Sequence, residues 1–334
     1  MAENDDVLTE AARWLRAGKA VALASVVSTW GSSPRPPGSL LAVNADGRFV
    51  GSVSGGCIEG AVVEQALEVM KIGKPRLLDF GVTDEMAWEV GLACGGEMKV
   101  LVEAVPDTRL IDRLLTERPV ALVTDTRSGV STLVGLRNLE GALALDDETL
   151  KTARRALAQD RSDTIAQNGA MLLVRVFNPP LRMIVIGAVH IAQTLAPMAT
   201  FAGFDVTVID PRGAFATAER FPGVRLISKW PDEAMAEIEP DLRTAVVTLV
   251  HDPKIDDPAL ESALRSDAFY VGALGSRSTH GKRVDRFKEK GFTDQDLARI
   301  HAPIGLNLGG RKTPEIAVAI LAEAVAALHG KDRP

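Results

Sequence analysis

Cysteine is scarce in this chain: two among 334 residues, Cys57 and Cys94. The opening Met1-Ala2-Glu3-Asn4-Asp5-Asp6 lacks the cationic flank of a secretory signal, so a structural disulfide is disfavoured. A site that uses one or both thiols is the better expectation. Histidine is scarce as well, five in all, and no spacing among the histidines or between them and the cysteines matches a zinc site. No apolar run reaches membrane-spanning length; the longest stretches, around 183–202 and 314–328, carry polar residues throughout. Basic charge is not in excess. The net charge is −6 and no basic stripe appears, which argues against a nucleic-acid partner. Repeats and low-complexity tracts are absent. The expectation is a cytoplasmic α/β protein long enough for two domains, each able to bury its own core.

The stretch richest in chemistry is Gly51-Ser52-Val53-Ser54-Gly55-Gly56-Cys57-Ile58-Glu59-Gly60. It reads as a strand that enters a double-glycine turn and opens a helix. Apolar residues at Ile58, Val62, Ala66 and Val69 keep helical spacing, and Gly73 supplies the C-cap. Cys57 then stands at a helix N-terminus, where free N–H groups and the helix dipole favour an anion. A thiol so placed ionises more easily, and the thiolate is the reactive form. The plainer reading of Cys57 is a small buried packing residue. Cys94 has a similar setting: Cys94-Gly95-Gly96 leads into an expected strand, Glu97 to Glu103.

Upstream, a helix is expected over Val7–Ala17 and a strand over Ala20–Val27. The loop Thr29-Trp30-Gly31-Ser32-Ser33-Pro34-Arg35-Pro36-Pro37-Gly38 follows. Its three prolines fix the backbone from which Arg35 projects, and Arg is well shaped for bidentate phosphate or carboxylate. A rigid surface turn with a solvated Arg is the alternative. A hairpin, Ser39–Val43 and Arg48–Val53 around Asn44-Ala45-Asp46-Gly47, delivers the chain to the Cys57 turn. The Arg35 loop and the Cys57 turn are therefore expected at one end of one sheet. Further strands are expected over 76–80, 119–125, 131–136 and 169–177, a helix over 147–159, and a loop or short helix over 83–91.

Asn178-Pro179-Pro180 is the expected boundary, dividing 1–178 from 181–334. Beyond it the pattern is that of a Rossmann-like, doubly wound parallel sheet. The strand Met183–Ile186 meets Gly187-Ala188-Val189-His190, a helix runs to about Ala202, and the strand Asp205–Ile209 ends at Asp210. In such a unit the acid after the second strand takes ribose hydroxyls. Val189, however, occupies the place of the glycine that lets pyrophosphate approach the backbone, so NAD(P) binding is weakly supported. The strand Thr244–Val250 stops at His251-Asp252-Pro253, and Phe269–Gly272 stops at Gly272-Ala273-Leu274-Gly275-Ser276. Ligands of doubly wound sheets sit outside the strands' carboxyl ends, so His190, Asp210, His251 and the Gly272–Ser276 turn would rim one crevice. For His251 a local hydrogen bond to Asp252 is an equal alternative; His280, His301 and His329 read as structural or solvated. The run His301 to Gly310 reads as an ordered loop, and a final helix is expected with Thr313 as N-cap and Pro314 at N1.

Several of these stretches together resemble the XdhC/CoxI family: residues 31–38, Ser54-Gly55-Gly56-Cys57-Ile58-Glu59-Gly60 and Cys94-Gly95-Gly96 in the first half, then 248–253, 270–276 and His301-Ala302-Pro303-Ile304-Gly305-Leu306. The resemblance covers nearly the whole chain and implies an accessory protein for molybdenum hydroxylases such as xanthine dehydrogenase. Such a protein binds molybdenum cofactor (molybdopterin, in its plain or dinucleotide form), supports its sulfuration and inserts it into the apo-enzyme. It implies as partners the hydroxylase apo-enzyme and a cysteine desulfurase, and a homodimer as the assembly. Carried onto this chain, Cys57 and Cys94 become candidate molybdenum or sulfur contacts, with Gly95 beside the second. Arg35, Ser54, Gly55 and Gly56 become candidates for the cofactor's phosphate or pterin. The family commonly has Gly-Ala-Gly-His where this chain has Gly187-Ala188-Val189-His190, a departure that weakens dinucleotide binding in the second domain. Two other readings stand beside this one. The first is an NAD(P)-dependent oxidoreductase with His190 or His251 as acid–base. The second is a thiol redox-sensing module in which the two cysteines pair reversibly.

Overall fold

The computed structural model describes residues 3–31, 35–81 and 96–330. The chain divides into two compact units and passes from one to the other between Pro179 and Pro180. Cys94, Gly95 and the 83–91 stretch lie outside the described residues.

The first unit opens on α1 (Glu3–Arg16), which buries Val7, Leu8, Ala11 and Ala12. It continues through β1 (Val21–Trp30), β2 (Leu40–Asn44), β3 (Phe49–Gly51), α2 (Glu59–Ile72), β4 (Arg76–Phe80) and β5 (Glu97–Val105). These strands form an antiparallel sheet in the order β3-β2-β1-β5-β4. Strand β1 is buried on both faces because successive side chains point to opposite sides. Ala22, Ala24 and Val26 pack with Ile58, Val62, Ala66 and Val69 around α2. Val21 and Leu23 join the residues of α1. The expected end of β1 at Val27 is three residues short: the strand runs on to Trp30 past a bulge between Val26 and Ser28.

The helix α3 (Thr108–Thr116), N-capped by Asp107, and a second antiparallel sheet complete this unit. Its parts are β6 (Val120–Asp125), β7 (Ser131–Gly135), β8 (Leu139–Gly141), α4 (Asp147–Ala158), β9 (Asp163–Gln167) and β10 (Ala170–Phe177), with strand order β8-β7-β6-β10-β9. Arg175 of β10 ties the two sheets. Its buried guanidinium pairs with Glu103 of β5 at 2.8 Å and donates to Ser25 Oγ of β1 at 2.9 Å and Thr124 Oγ1 of β6 at 2.7 Å.

The second unit is a parallel sheet with helices on both faces. It comprises β11 (Leu181–Ile186), α5 (His190–Phe201), β12 (Phe204–Ile209), β13 (Arg225–Ile227), α6 (Pro231–Ile238), β14 (Thr244–Thr248), α7 (Pro253–Leu264), β15 (Tyr270–Ala273), α8 (Arg277–Glu289), α9 (Asp294–Leu297), β16 (Ile300–His301) and α10 (Thr313–Leu328). The sheet, in the order β13-β12-β11-β14-β15-β16, is parallel throughout, and the chain's progression across it switches sides between β11 and β14, the arrangement of a dinucleotide-binding sheet. Met183 and Val185 face the core under α5 and α10; Ile184 and Ile186 face the core under α6 and α7.

Two expectations are corrected here. The run from His301 is not all loop, because Ile300–His301 adds the edge strand β16, pairing His301 with Gly272. His301 packs on Tyr270, ring centroids 4.7 Å apart, and lies 3.4 Å from the buried Glu323, which also accepts the Tyr270 hydroxyl. The last helix takes Lys312, not Thr313, as its N-cap. Glu315 reaches back to accept the N–H groups of Arg311 and Lys312, which moves the start by one residue. Among the described residues no helix is long and apolar enough to cross a membrane.

Candidate functional site

The turn between β3 and α2 is held by one side chain, Glu59, the first residue of the helix. Its carboxylate accepts the hydroxyls of Ser52 (2.7 Å) and Ser54 (2.6 Å). It also accepts the backbone N–H groups of Val53, Ser54, Gly55 and Gly56 at 2.9–3.2 Å. The bonds continue outward. Ser54 Oγ accepts the N–H groups of Cys57 and Ile58, and Ser52 Oγ accepts that of Gly55. Burial alone would push the Glu59 carboxyl up; the serine hydroxyls and backbone N–H groups outweigh it and bring the pKa down to about 2. Gly55 (φ +84°) and Gly56 (φ +124°) supply the left-handed backbone that wraps the chain around this carboxylate.

For the turn that leads into the helix, the expectation of unused amides is corrected. The N–H groups from residue 53 to residue 58 already have acceptors, and the group at their focus is an anion. An incoming phosphate would find those donors engaged and a carboxylate beside them, so Ser54, Gly55 and Gly56 do not form a phosphate cradle. Cys57 is not a packing residue. Its side chain is exposed, and among the described residues no atom beyond the chain neighbours lies within 4 Å of where a Gly56 Cβ would stand. The turn thus presents an exposed thiol from a hydrogen-bonded, negatively charged base, a setting that suits a soft metal better than a phosphate. Arg35 is brought to the same turn: its Nε donates to the Ser52 carbonyl at 3.2 Å, in accord with the hairpin topology. The roles of Glu59 and Ser52 do not stand out in the sequence. Their one signal is an acid in the first turn of a helix just after serines and glycines, the composition of a capping box.

In the second unit the glycine turn after β11 is closed in the same manner. Asp210, fully buried, accepts the Ala188 N–H at 2.8 Å and the Arg212 N–H at 2.9 Å. It also holds the Arg212 guanidinium through two bonds of 2.9 and 2.7 Å. Burial raises its pKa, but the Arg212 side chain and these N–H groups win, and the net shift is downward. The expected ribose acceptor is therefore turned inward onto its own glycine turn. Gly187 (φ +102°) is required where it stands, since a Cβ there would lie 2.4 Å from Val250 Cγ2. Val189 is the N-cap of α5 without a capping side chain, and His190 begins the helix, exposed, with Nδ1 3.3 Å from Gln193 Oε1.

Of the remaining rim residues, His251 has a left-handed backbone (φ +67°), and its N–H donates to Asp256, not to Asp252. Asp252 instead caps α7 through the Lys254 N–H. Gly272 belongs to strand β15 and not to a turn; the space a side chain would need is filled by Ile304, 2.5 Å from a Cβ, so it offers no surface to a ligand. Gly275 (φ +144°) forms the turn, and Ser276 caps α8 by accepting the Thr279 N–H. Among the described residues no group of three or more His, Cys, Asp or Glu side chains converges as a metal site.

A protein of two α/β units, the first presenting a thiol on a braced turn and the second a Rossmann-type sheet, is what fold and site define. Two family models match it: the XdhC and CoxI family over residues 14–81, and the XdhC Rossmann domain over residues 183–324. The chain belongs to the XdhC/CoxI family. It is 29% identical to the molybdenum cofactor insertion chaperone PaoD of Escherichia coli, over 99% of this chain and 91% of that one. It is 25% identical to a probable xanthine dehydrogenase component of Bacillus subtilis, over 91% of this chain and 92% of that protein. The crystal structure of a xanthine dehydrogenase from Bacillus halodurans has the same fold, with a TM-score of 0.79 and 22% identity over 99% of this chain and 97% of that one.

Proposed function

We propose that this chain is a carrier and insertion chaperone for molybdenum cofactor. It binds the cofactor as cargo, holds it while a terminal sulfur is installed, and passes it to a molybdenum hydroxylase of the xanthine dehydrogenase type. The observation that carries this reading is the exposed Cys57 thiol on a turn whose amides from residue 53 to residue 58 are held by Glu59, Ser52 and Ser54. Thiolate is a good ligand for molybdenum and its sulfur. A braced turn holds that sulfur in one place without ordering cost when cargo arrives. Family membership and the name of the Escherichia coli relative agree with it.

In this reading Cys57, with Cys94 as its second sulfur, grips the metal end of the cargo. Arg35 stands at the same turn for the anionic remainder. A cysteine desulfurase supplies the sulfur, two copies of the chain act together, and the work is done in the cytoplasm. Neither unit transforms a substrate of its own. The dinucleotide-dependent oxidoreductase reading is disfavoured because Asp210 is engaged by Ala188 and Arg212 and is not directed at a ribose.

The test is native mass spectrometry of full-length protein from a molybdate-fed host, paired with iodine oxidation and pterin fluorescence. The expected result is a bound mass of molybdopterin or its dinucleotide form and a fluorescent pterin, both lost in Cys57→Ser. Stoichiometric NAD(P) without pterin would contradict it and support the oxidoreductase instead.

A further inference from the structure

Where β14 passes into α7 and β15 into α8, the second unit contains a cavity of about 220 Å³ whose lining includes His251, Asp257, Thr279, Lys282, Arg283 and Arg286. Arg283 is its unusual member. The side chain is 2% exposed, and Nη2 donates to the Leu274 carbonyl at 3.3 Å, yet Nε and Nη1 are shielded from solvent with no hydrogen-bond partner. The nearby acids offset its charge but accept no hydrogen bond from it. Asp257 is engaged by Arg286 through two bonds of 2.7 and 3.0 Å and stays 4.0 Å from Arg283 Nε. Asp256 faces the N–H groups of Val250 and His251.

A buried guanidinium with two unused donors is costly, and an entering anion removes that cost. The surroundings suit one. Three cations, Lys282, Arg283 and Arg286, face two acids, Asp256 and Asp257, an excess of one positive charge with both acids ionised. Ser278 and Thr279 bring hydroxyls from the first turn of α8. Lys282 is exposed and Arg283 buried, so the site has an outer and an inner cation.

We propose that this cavity takes the phosphate group of a phosphorylated small molecule. A carboxylate presents two oxygens, whereas a phosphate presents three, enough for guanidinium, ammonium and hydroxyl together. The place, outside the carboxyl ends of parallel strands, is where open α/β sheets receive ligands. Its lining does not include the Gly187 turn that Asp210 closes, and it stands whether or not the chain carries molybdenum cofactor.

The test is calorimetric titration of the full-length protein with inorganic phosphate and with cytidine monophosphate, using cytidine and chloride at matched ionic strength as controls. Phosphate and the monophosphate are expected to bind and the controls not to. Lys282→Ala should weaken binding about tenfold with an unchanged thermal midpoint, since the residue is exposed. Arg283→Met should abolish binding and lower the midpoint, because it leaves the buried Asp256 and Asp257 short of a counter-charge. Should Arg283→Met not fold, Arg283→Lys, which keeps the charge but loses the fork, is expected to weaken binding at least tenfold. Absence of phosphate binding above chloride, or binding undiminished in these variants, would overturn the assignment.

Discussion

The glycine turns of the two units are each closed by an acid of the chain itself, and they differ in where that acid comes from. At Gly55–Gly56 it is Glu59, a few residues on, reached within the same turn. At Gly187–Ala188 it is Asp210, 22 residues on, delivered by the pairing of β12 with β11. Glu59 is held by neutral donors alone and keeps its negative charge at the turn. Asp210 is neutralised by Arg212. A turn looks like an anion site in sequence because of its glycines and the helix after it. Whether it remains one depends on whether an acid of the chain arrives first. In the first unit the closure leaves an outward-facing thiol; in the second it leaves a shut turn, and the under-bonded cation lies elsewhere, at Arg283.

Several changes would break or sharpen this contrast. The largest effect is expected for Glu59→Ala, which removes the acceptor of two hydroxyls and of the Val53, Ser54 and Gly56 N–H groups. Urea unfolding should show a loss of about 4 kcal/mol, the scale for breaking a buried network. Next comes Asp210→Ala, expected to cost about 2 kcal/mol by the same assay, since it strands one buried N–H and releases an Arg on a half-exposed stem.

Acidity separates two buried acids further. Glu59, lowered to about 2, contributes stability that is present above pH 4.5 and lost as pH falls through 2. Asp256 is raised to about 6, chiefly by burial, against the pull of the Val250 and His251 N–H groups. Its contribution has the opposite sign, full below pH 3.8 and lost as pH rises through 6. Unfolding midpoints against pH should show a shallower acid limb in Glu59→Gln and a shallower slope between pH 4 and 6 in Asp256→Asn. An acid limb unchanged in Glu59→Gln would refute the Glu59 assignment. The smallest effect is expected for Cys57→Ser, under about 0.5 kcal/mol, because the side chain is exposed and buries nothing. A larger loss would mean that the residue supports the fold.

Much of the architecture is legible from periodicity. The helix ending at Gly73, the strand Arg76–Phe80 and the parallel sheet of the second unit all follow from apolar spacing and glycine position. The helix α3 and the strand β9 are not legible in that way: α3 lies behind an Asp107 cap whose signal is local, and β9 is half-buried and mixed in polarity. At the site, position is legible and electrostatics is not. Arg35 does come to the Cys57 turn, because a hairpin fixes where its ends go. The engagement of the amides by Glu59, of Asp210 by Arg212 and of Gly272 by Ile304 rests on side-chain reach, which spacing does not encode.

The most direct test of the central claim, that cargo is held at the braced thiol of the first unit and not at the glycine turn of the second, is cofactor stoichiometry in paired variants. Cys57→Ser and Asp210→Asn, purified from the same molybdate-fed host, would be compared by pterin and molybdenum content per chain. Cys57→Ser is expected to lose both and Asp210→Asn to retain them; full cofactor in Cys57→Ser with loss in Asp210→Asn would contradict it.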